Sequence, residues 1–270
     1  MRGFFTIKRI FCPGWQIFEK STKFLSQALL GEDGVERVFR LITFDFWNTL
    51  YKGPPDAVIS EQRVWDVQRV LSDYGFEFAT LEIQNAFWSA WQEAYVSQRV
   101  YGKDPGPRGQ VDHVLRVLGL NGFPGYEAFY EAYTRALLKQ PPEINDGVRE
   151  TLASLQGRFK LAVICNTGAT PGVHLRTIMQ NHGLSDAFNL LVFSDEMGFS
   201  KPDPAIFNYV LDKLGCININ AMHVGDDAIT DVIGAKKAGM TAVWLAPRVF
   251  WPLPEADYCI ESLPELIKLV

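Results

Sequence analysis

The amino-acid sequence predicts an α/β fold, a parallel sheet flanked by helices, with a helical domain inserted after the first strand. Three observations lead there. Short apolar runs recur that are continuous rather than alternating, the pattern of strands buried on both faces. Stretches with helix start and stop signals separate most of them. The interval between the first and second runs, Asp45 to Cys165, is far too long for one crossover connection and reads largely as helix.

Composition narrows the function classes. With 270 residues, 47 % hydrophobic and 21 % charged, the chain is ordinarily globular and long enough for one large domain or two small ones. A net charge of −5, from 26 basic and 31 acidic residues without a long basic run, argues against a nucleic-acid partner. The cysteines at 12, 165, 216 and 259 fit no zinc or CxxC spacing, so a reducing, cytoplasmic compartment without disulfides is expected. No stretch approaches the roughly 18 to 20 apolar residues that span a bilayer, so no integral membrane segment is expected.

Residues 1–36 read as a poorly defined extension. Phe4, Ile7, Phe11, Trp15 and Phe18 would share a helix face, with Lys8, Arg9, Lys20 and Lys23 elsewhere, which is the pattern of a weak surface or partner contact. Pro13 and Gly14 interrupt that helix. The strands follow as Leu41 to Phe44, Leu161 to Ile164, Leu190 to Phe193, Met222 to Val224 and Ala242 to Leu245. Helices are expected from Thr170-Pro171 to Gly183, from Asp203-Pro204 to Gly215, and in a later segment closing at Gly239.

Ligands of open α/β sheets bind beyond the carboxyl ends of the strands. The first run ends in Asp45; the second in Cys165, Asn166 and Thr167. The third leads through Ser194 and Asp195 toward Lys201, and the fourth ends in Gly225, Asp226 and Asp227. One sheet edge should therefore collect carboxylates, small polar groups and a lysine.

The inserted domain is bounded by proline-rich linkers, Lys52 to Asp56 (KGPPD) and Gln140 to Asp146 (QPPEIND). This divides the chain into a core of 37–52 and 145–270 and a helical domain of 53–144. Trp65 with Val58 and Val67 to Leu71, then Phe87, Trp91 and Tyr95, then Phe129, Tyr130, Tyr133 and Leu137, should form the core of an antiparallel bundle. Tyr51 and Lys52 at the entry to the inserted domain, and Gln98 and Arg99 late in one of its helices, have two places open to them, the cleft and the solvated surface, of which the surface is expected. His113, His174, His182 and His223, which lack metal-ligand spacing, are expected as structural groups.

Four segments, LITFDFWNTLY, LAVICNTG, GFSKPDPAIF and HVGDDAITDVIGAKKAGM, resemble in order the four motifs of the haloacid dehalogenase (HAD) superfamily, subfamily I, with a helical cap. The last is specific alone, and the ordered set more so. The closing ADYCIESLPELIKLV is similar to that family's final strand and helix. The resemblance implies a Rossmann-like core with an inserted α-helical cap, and a hydrolase of small phosphorylated metabolites that works through an aspartyl-phosphate on Asp45. It implies catalytic roles for Asp45, Thr49, Asn166 and Lys201, and a phosphate cradle of Cys165, Asn166, Thr167 and Lys201. It also implies Mg²⁺ on Asp45, Asp226 and the Trp47 backbone carbonyl, with Asp227 or Asp231 as further ligands. The residue types suit this chemistry. A carboxylate that attacks phosphorus splits a hard hydrolysis in two, provided a cation offsets the repulsion between anions, and Mg²⁺ favours oxygen ligands.

Two positions depart from the phosphatase pattern. Trp47 stands where a second aspartate usually serves as general acid and base, and Cys165 stands where Ser or Thr donates to phosphate. Indole cannot exchange the proton, and a thiol is a weak donor. Two alternatives accompany the phosphatase reading: a dehalogenase-like enzyme in which Asp45 attacks carbon, and a fold retained for binding or regulation with little turnover.

Overall fold

The computed structural model describes residues 38–53, 56–246 and 253–270. The extension, with its expected surface or partner contact, lies outside them, as do Pro54 and Pro55 of the first linker. Six parallel strands form one sheet: β1 (Leu41–Phe44), β2 (Lys160–Cys165), β3 (Leu190–Phe193), β4 (Ala221–Gly225), β5 (Thr241–Leu245) and β6 (Tyr258–Ile260). Their order is β3-β2-β1-β4-β5-β6. The chain builds outward from β1 on one side, then returns to β4 and builds outward on the other. The crevice beyond β1 and β4 is therefore the topological switch point, the usual ligand site of such sheets.

Strand residues alternate between two apolar layers. Ile42, Phe44, Leu161 and Val163 join one cluster, and Leu41, Ala162 and Ile164 join the other with Phe207 and Val232. Burial on both faces is why these runs are continuously apolar.

Six helices lie between β1 and β2 among the described residues, and the first five are α1 (Asp56–Asp73), α2 (Thr80–Tyr101), α3 (Gly106–Val117), α4 (Tyr126–Thr134) and α5 (Ala136–Lys139). The first four surround a third apolar cluster containing Val67, Phe87, Val114, Phe129 and Tyr133, whereas Ala136 and Leu137 of α5 pack into the first cluster with the strands, so Leu137 is not part of the bundle core expected for it. The expected aromatic core divides here. Phe87, Phe129 and Tyr133 are buried, but Trp65, Trp91 and Tyr95 are 58 %, 45 % and 43 % exposed. Residues four apart advance about 40° beyond a full turn, so the row 87, 91, 95 drifts off the buried face. That face is carried instead by Ile83, Ala86, Phe87, Ala90 and Ala94. Trp88, Trp91 and Tyr95 stack on one another on the outer side, with centroids 4.8 and 5.0 Å apart. No helix among the described residues is long and apolar enough to cross a membrane.

The core helices follow: α6 (Val148–Leu155), α7 (Gly172–Asn181), the single turn α8 (Ser194–Met197), α9 (Pro204–Leu214) and α10 (Gly234–Lys237). The expected stops Gly183, Gly215 and Gly239 have φ of 65°, 59° and 74°. Asp203 starts α9 by accepting from Ala205 N–H at 2.9 Å. The segment before α10 is a π-helical turn, Ala228–Ile233, begun by the Asp227 side chain, which accepts from Ile229 and Thr230 N–H. The expected terminal helix is instead a 3₁₀ turn, Leu263–Lys268, with Pro264 in its first turn.

Candidate active site

The site is built from the residues that follow β1, β2 and β4, with Lys201 delivered by the loop after α8. Phe44 is paired with Val163 on one side and Val224 on the other, and Asp45 N–H continues the ladder to Val224 O at 2.9 Å. Asp45 thus steps out of the sheet between the two neighbouring strand ends. The chain then turns sharply. Asn48 takes the left-handed conformation (φ 55°), and its amide donates to Asp226 Oδ2 at 3.2 Å while its oxygen accepts from Gly53 N–H. On β4, a Cβ at Gly225 would overlap the Asp231 carboxylate, so glycine there lets the π-helical turn fold back onto the strand end.

The buried Lys201 ammonium lies between two carboxylates, 2.5 Å from Asp45 Oδ1 and 2.6 Å from Asp231 Oδ1. Asn166 holds the Lys201 backbone from both sides: its amide donates to Lys201 O and its oxygen accepts from Lys201 N–H, both at 2.8 Å. Carboxylate oxygens of Asp45, Asp226 and Asp231 lie within 4.8 Å of one another. With three carboxylates around one ammonium the cluster has surplus negative charge. Burial pushes the Asp45 carboxyl well above its ordinary range; Lys201 opposes this, and Asp231 and Asp226 add to it. Asp226 is pushed up to about 6, first by burial and then by Asp231. Burial also disfavours charge on Asp231 and Lys201, but their mutual attraction wins, holding Asp231 below and Lys201 above the ordinary values. An all-oxygen donor set with two carboxylates that resist ionisation fits a hard divalent cation such as Mg²⁺, whose charge would remove that resistance.

Asp227 is not part of this cluster. Burial resists its ionisation, but Arg99 of α2 and the N–H of Thr230 hold its carboxyl below the ordinary value. The Arg99 guanidinium grips it with two bonds, of 2.5 and 3.0 Å. Thr167 is also engaged elsewhere: its buried hydroxyl donates to Asp104 Oδ2 at 2.9 Å, and the Ser194 hydroxyl donates to the same oxygen. Cys165 is enclosed at the end of β2, its thiol pushed up by burial and then by Asp45, and it donates to Asn166 O at 3.4 Å. Thr49 is fully buried, and its hydroxyl has no hydrogen-bond partner among the described residues. Trp47 is half-buried, edge-on to Phe46 at 4.8 Å.

The helical segment therefore meets the sheet edge at defined contacts. Gln98 donates to Thr167 O at 2.7 Å, and Ser200 N–H donates to Gly102 O at 2.9 Å. A Cβ at Gly102, which ends α2 at φ 64°, would crowd Asp203. Gln98 and Arg99 are thus half-buried at this contact rather than freely solvated, and Tyr51 is fully buried, stacked on Phe46 at 4.5 Å; Lys52 is exposed and pairs with Glu143. Of the two places open to Arg99 the structure takes the cleft side, and Asp104 is a site-edge residue that no sequence pattern marks, because the place of both depends on how α2 docks.

A haloacid dehalogenase-like hydrolase family model matches residues 39–239. Among curated relatives, the pyrimidine 5′-nucleotidase YjjG of Escherichia coli is 25 % identical over 234 residues, 83 % of this chain and 98 % of that protein. A 2-haloacid dehalogenase structure from Pseudomonas syringae pv. Tomato superposes with a TM-score of 0.65 at 24 % identity, covering 86 % of this chain and 98 % of the other. The magnesium-bound structure of YfnB from Bacillus subtilis gives 0.58 at 20 % identity, covering 85 % and 97 %. The family match extends from β1 to Gly239 and takes in every strand end that builds the acidic cluster, so this chain belongs to the haloacid dehalogenase-like hydrolase family.

Proposed function

We propose that this hydrolase is a Mg²⁺-dependent phosphatase of small phosphorylated metabolites. The observation that carries this is the buried Lys201 ammonium shared by Asp45 and Asp231, beside an Asp226 carboxyl that forms no ion pair among the described residues. A dehalogenase attacking carbon has no need of so many carboxylates, whereas a phosphate dianion approaching Asp45 needs a metal among them. The nucleotidase name of YjjG and the magnesium in the YfnB structure support the same reading.

In this reading Asp45, Asp226 and the Trp47 carbonyl hold Mg²⁺, with Asp231 as a further neighbour, and the bound ion supplies the charge that lets two anions meet. An Asp45 oxygen attacks phosphorus, the ester oxygen leaves with its electron pair, and water then hydrolyses the aspartyl-phosphate. Lys201 steadies Asp45 and a phosphoryl oxygen. Asn166 fixes the Lys201 backbone, and the buried Thr49 hydroxyl, without a partner among the described residues, is a spare donor in the turn after Asp45. Cys165 and Thr167 shape the phosphate loop, and Asp227 anchors the helical segment through Arg99. Residues 53–144 act as a cap over the core of 37–52 and 145–270, opening for exchange and closing to exclude water.

Trp47 cannot protonate a leaving group, so esters with good leaving groups are the better substrates. Proton transfer contributes about 10²- to 10⁴-fold, and that is the expected penalty on alkyl phosphates. The test is hydrolysis of p-nitrophenyl phosphate with Mg²⁺. Turnover lost in Asp45→Asn and on chelation supports the proposal. Trp47→Asp should raise alkyl-phosphate turnover more than aryl-phosphate turnover. The dehalogenase reading, favoured by Trp47 alone, predicts instead metal-independent halide release from a 2-haloacid and no phosphate release.

A further inference from the structure

His223 lies in the middle of β4, 1 % exposed, and no step of the reaction above uses it. Its ring is held from three directions. Nδ1 is 2.8 Å from the hydroxyl of Thr43, its register partner on β1. Nε2 is 3.2 Å from Asp231 Oδ1. Phe207 meets the ring edge-to-face with centroids 5.1 Å apart.

The position of the ring proton follows from these contacts. A lone pair on Nε2 facing a carboxylate would be repulsive, so Nε2 carries hydrogen. In a neutral ring Nδ1 then accepts from the Thr43 hydroxyl. In a cationic ring Nδ1 donates to that hydroxyl, which passes its own hydrogen to Met222 O at 3.2 Å. Both arrangements place an N–H on Asp231. Burial, first, and the nearby Lys201 ammonium favour the neutral ring.

The Asp231 carboxylate is then fully accounted for. Oδ2 accepts from Asp227 N–H at 2.9 Å, and Oδ1 accepts from both Lys201 and His223. We propose that His223, backed by Thr43, is a positioning residue. Its Nε2–H, donated to Asp231 Oδ1, fixes that carboxylate and takes part of its charge, so the Lys201 ammonium stands between Asp231 and Asp45 rather than on Asp231 alone. Without the histidine donor, Oδ1 has only Lys201 to satisfy it in a buried site, where an unmet acceptor is costly. The ammonium then shifts toward Asp231 and leaves the nucleophile and the phosphoryl oxygen poorly neutralised.

The kinetic arm of the test rests on the phosphatase reading; the spectroscopic arm does not. With p-nitrophenyl phosphate and Mg²⁺, His223→Leu keeps the apolar contact to Phe207 but loses the donor. It should lower kcat by about tenfold to a hundredfold, the range of a charge-assisted hydrogen bond, with KM changed by less than about threefold. His223→Gln, whose amide nitrogen sits near the Nε2 position, should restore most of kcat. Equal losses in the two variants, or wild-type kcat in His223→Leu, would overturn the proposal.

If wild type fails to turn over this ester, the phosphatase reading is what fails, and nuclear magnetic resonance decides the positioning role. In metal-free wild type, long-range ¹H–¹⁵N correlation should show hydrogen on Nε2 of His223. The Lys201 ammonium resonance should move in His223→Leu and stay near wild type in His223→Gln. An unprotonated Nε2, or a Lys201 signal indifferent to both substitutions, would overturn it.

Discussion

Two cations reach the same short stretch of chain after β4 under opposite conditions. Lys201 comes from the core, is 1 % exposed, and binds Asp45 and Asp231 with its backbone clamped by Asn166. Arg99 comes from α2, is 17 % exposed, and binds Asp227 with the face of Tyr95 beneath it at 4.8 Å. A buried ion pair cannot open without leaving a charge stranded, whereas a pair at the cleft rim can exchange its partner for water and salt ions. In the proposed reaction the first therefore belongs to the machinery. The second ties the helical segment to the sheet edge, and in the proposed cycle it is the clasp that lets that segment go.

The comparison breaks most visibly if Lys201 is removed. Lys201→Met leaves Asp45 and Asp231 facing each other in a dry site, and should cost about 3 to 5 kcal/mol in metal-free urea unfolding. Turnover should fall about 10²- to 10³-fold as an electrostatic stabiliser is lost. A loss of stability below about 1 kcal/mol would mean the pair is hydrated after all.

Next in size is the response to Mg²⁺. At a hundred times its Kd the ion should stabilise wild type by about 2.7 kcal/mol, and Asp226→Asn should lose most of that gain in calorimetric titration and thermal unfolding. Asp226 also sets a pH dependence. Its folded pKa of about 6 exceeds the ordinary 3.8, so in the metal-free protein protonation of this group stabilises the fold. That contribution is complete below about pH 4 and is lost as pH rises through about 6. Mg²⁺ needs the ionised carboxylate, so its affinity should climb with pH through about 6 and then level off. Equal affinity in Asp226→Asn would place the ion elsewhere.

The smallest effect belongs to the clasp. Arg99→Ala should cost no more than about 1 kcal/mol. It should speed amide exchange in the last turn of α2, and added salt should shrink the difference from wild type. A cost approaching that of Lys201→Met would erase the distinction between the two pairs.

The same distinction explains what could be read from the sequence. Asp45, Cys165 and Asp226 follow continuous apolar runs, and a parallel sheet sends every residue in that position to one edge, so composition and order sufficed. Arg99, Gln98 and Asp104 depend on the angle at which α2 meets the core, which no local pattern carries. The row Phe87, Trp91, Tyr95 misled for a related reason: even spacing does not say which side of a helix its neighbours cover. His223 reads as one more strand residue, because its register partner Thr43 lies far away in the chain. Asn166 and Thr167 follow β2 at the expected edge, but the partners of their side chains, Lys201 and Asp104, come from other loops.

The most direct test of the account is intact-protein mass spectrometry after rapid mixing with p-nitrophenyl phosphate and Mg²⁺ and quenching in acid. With Trp47 unable to activate water, the second half-reaction should be slow, so a species carrying one added phosphoryl group should accumulate, map to Asp45 and be absent from Asp45→Asn. Steady turnover with no adduct, or an adduct that persists in Asp45→Asn, would contradict it.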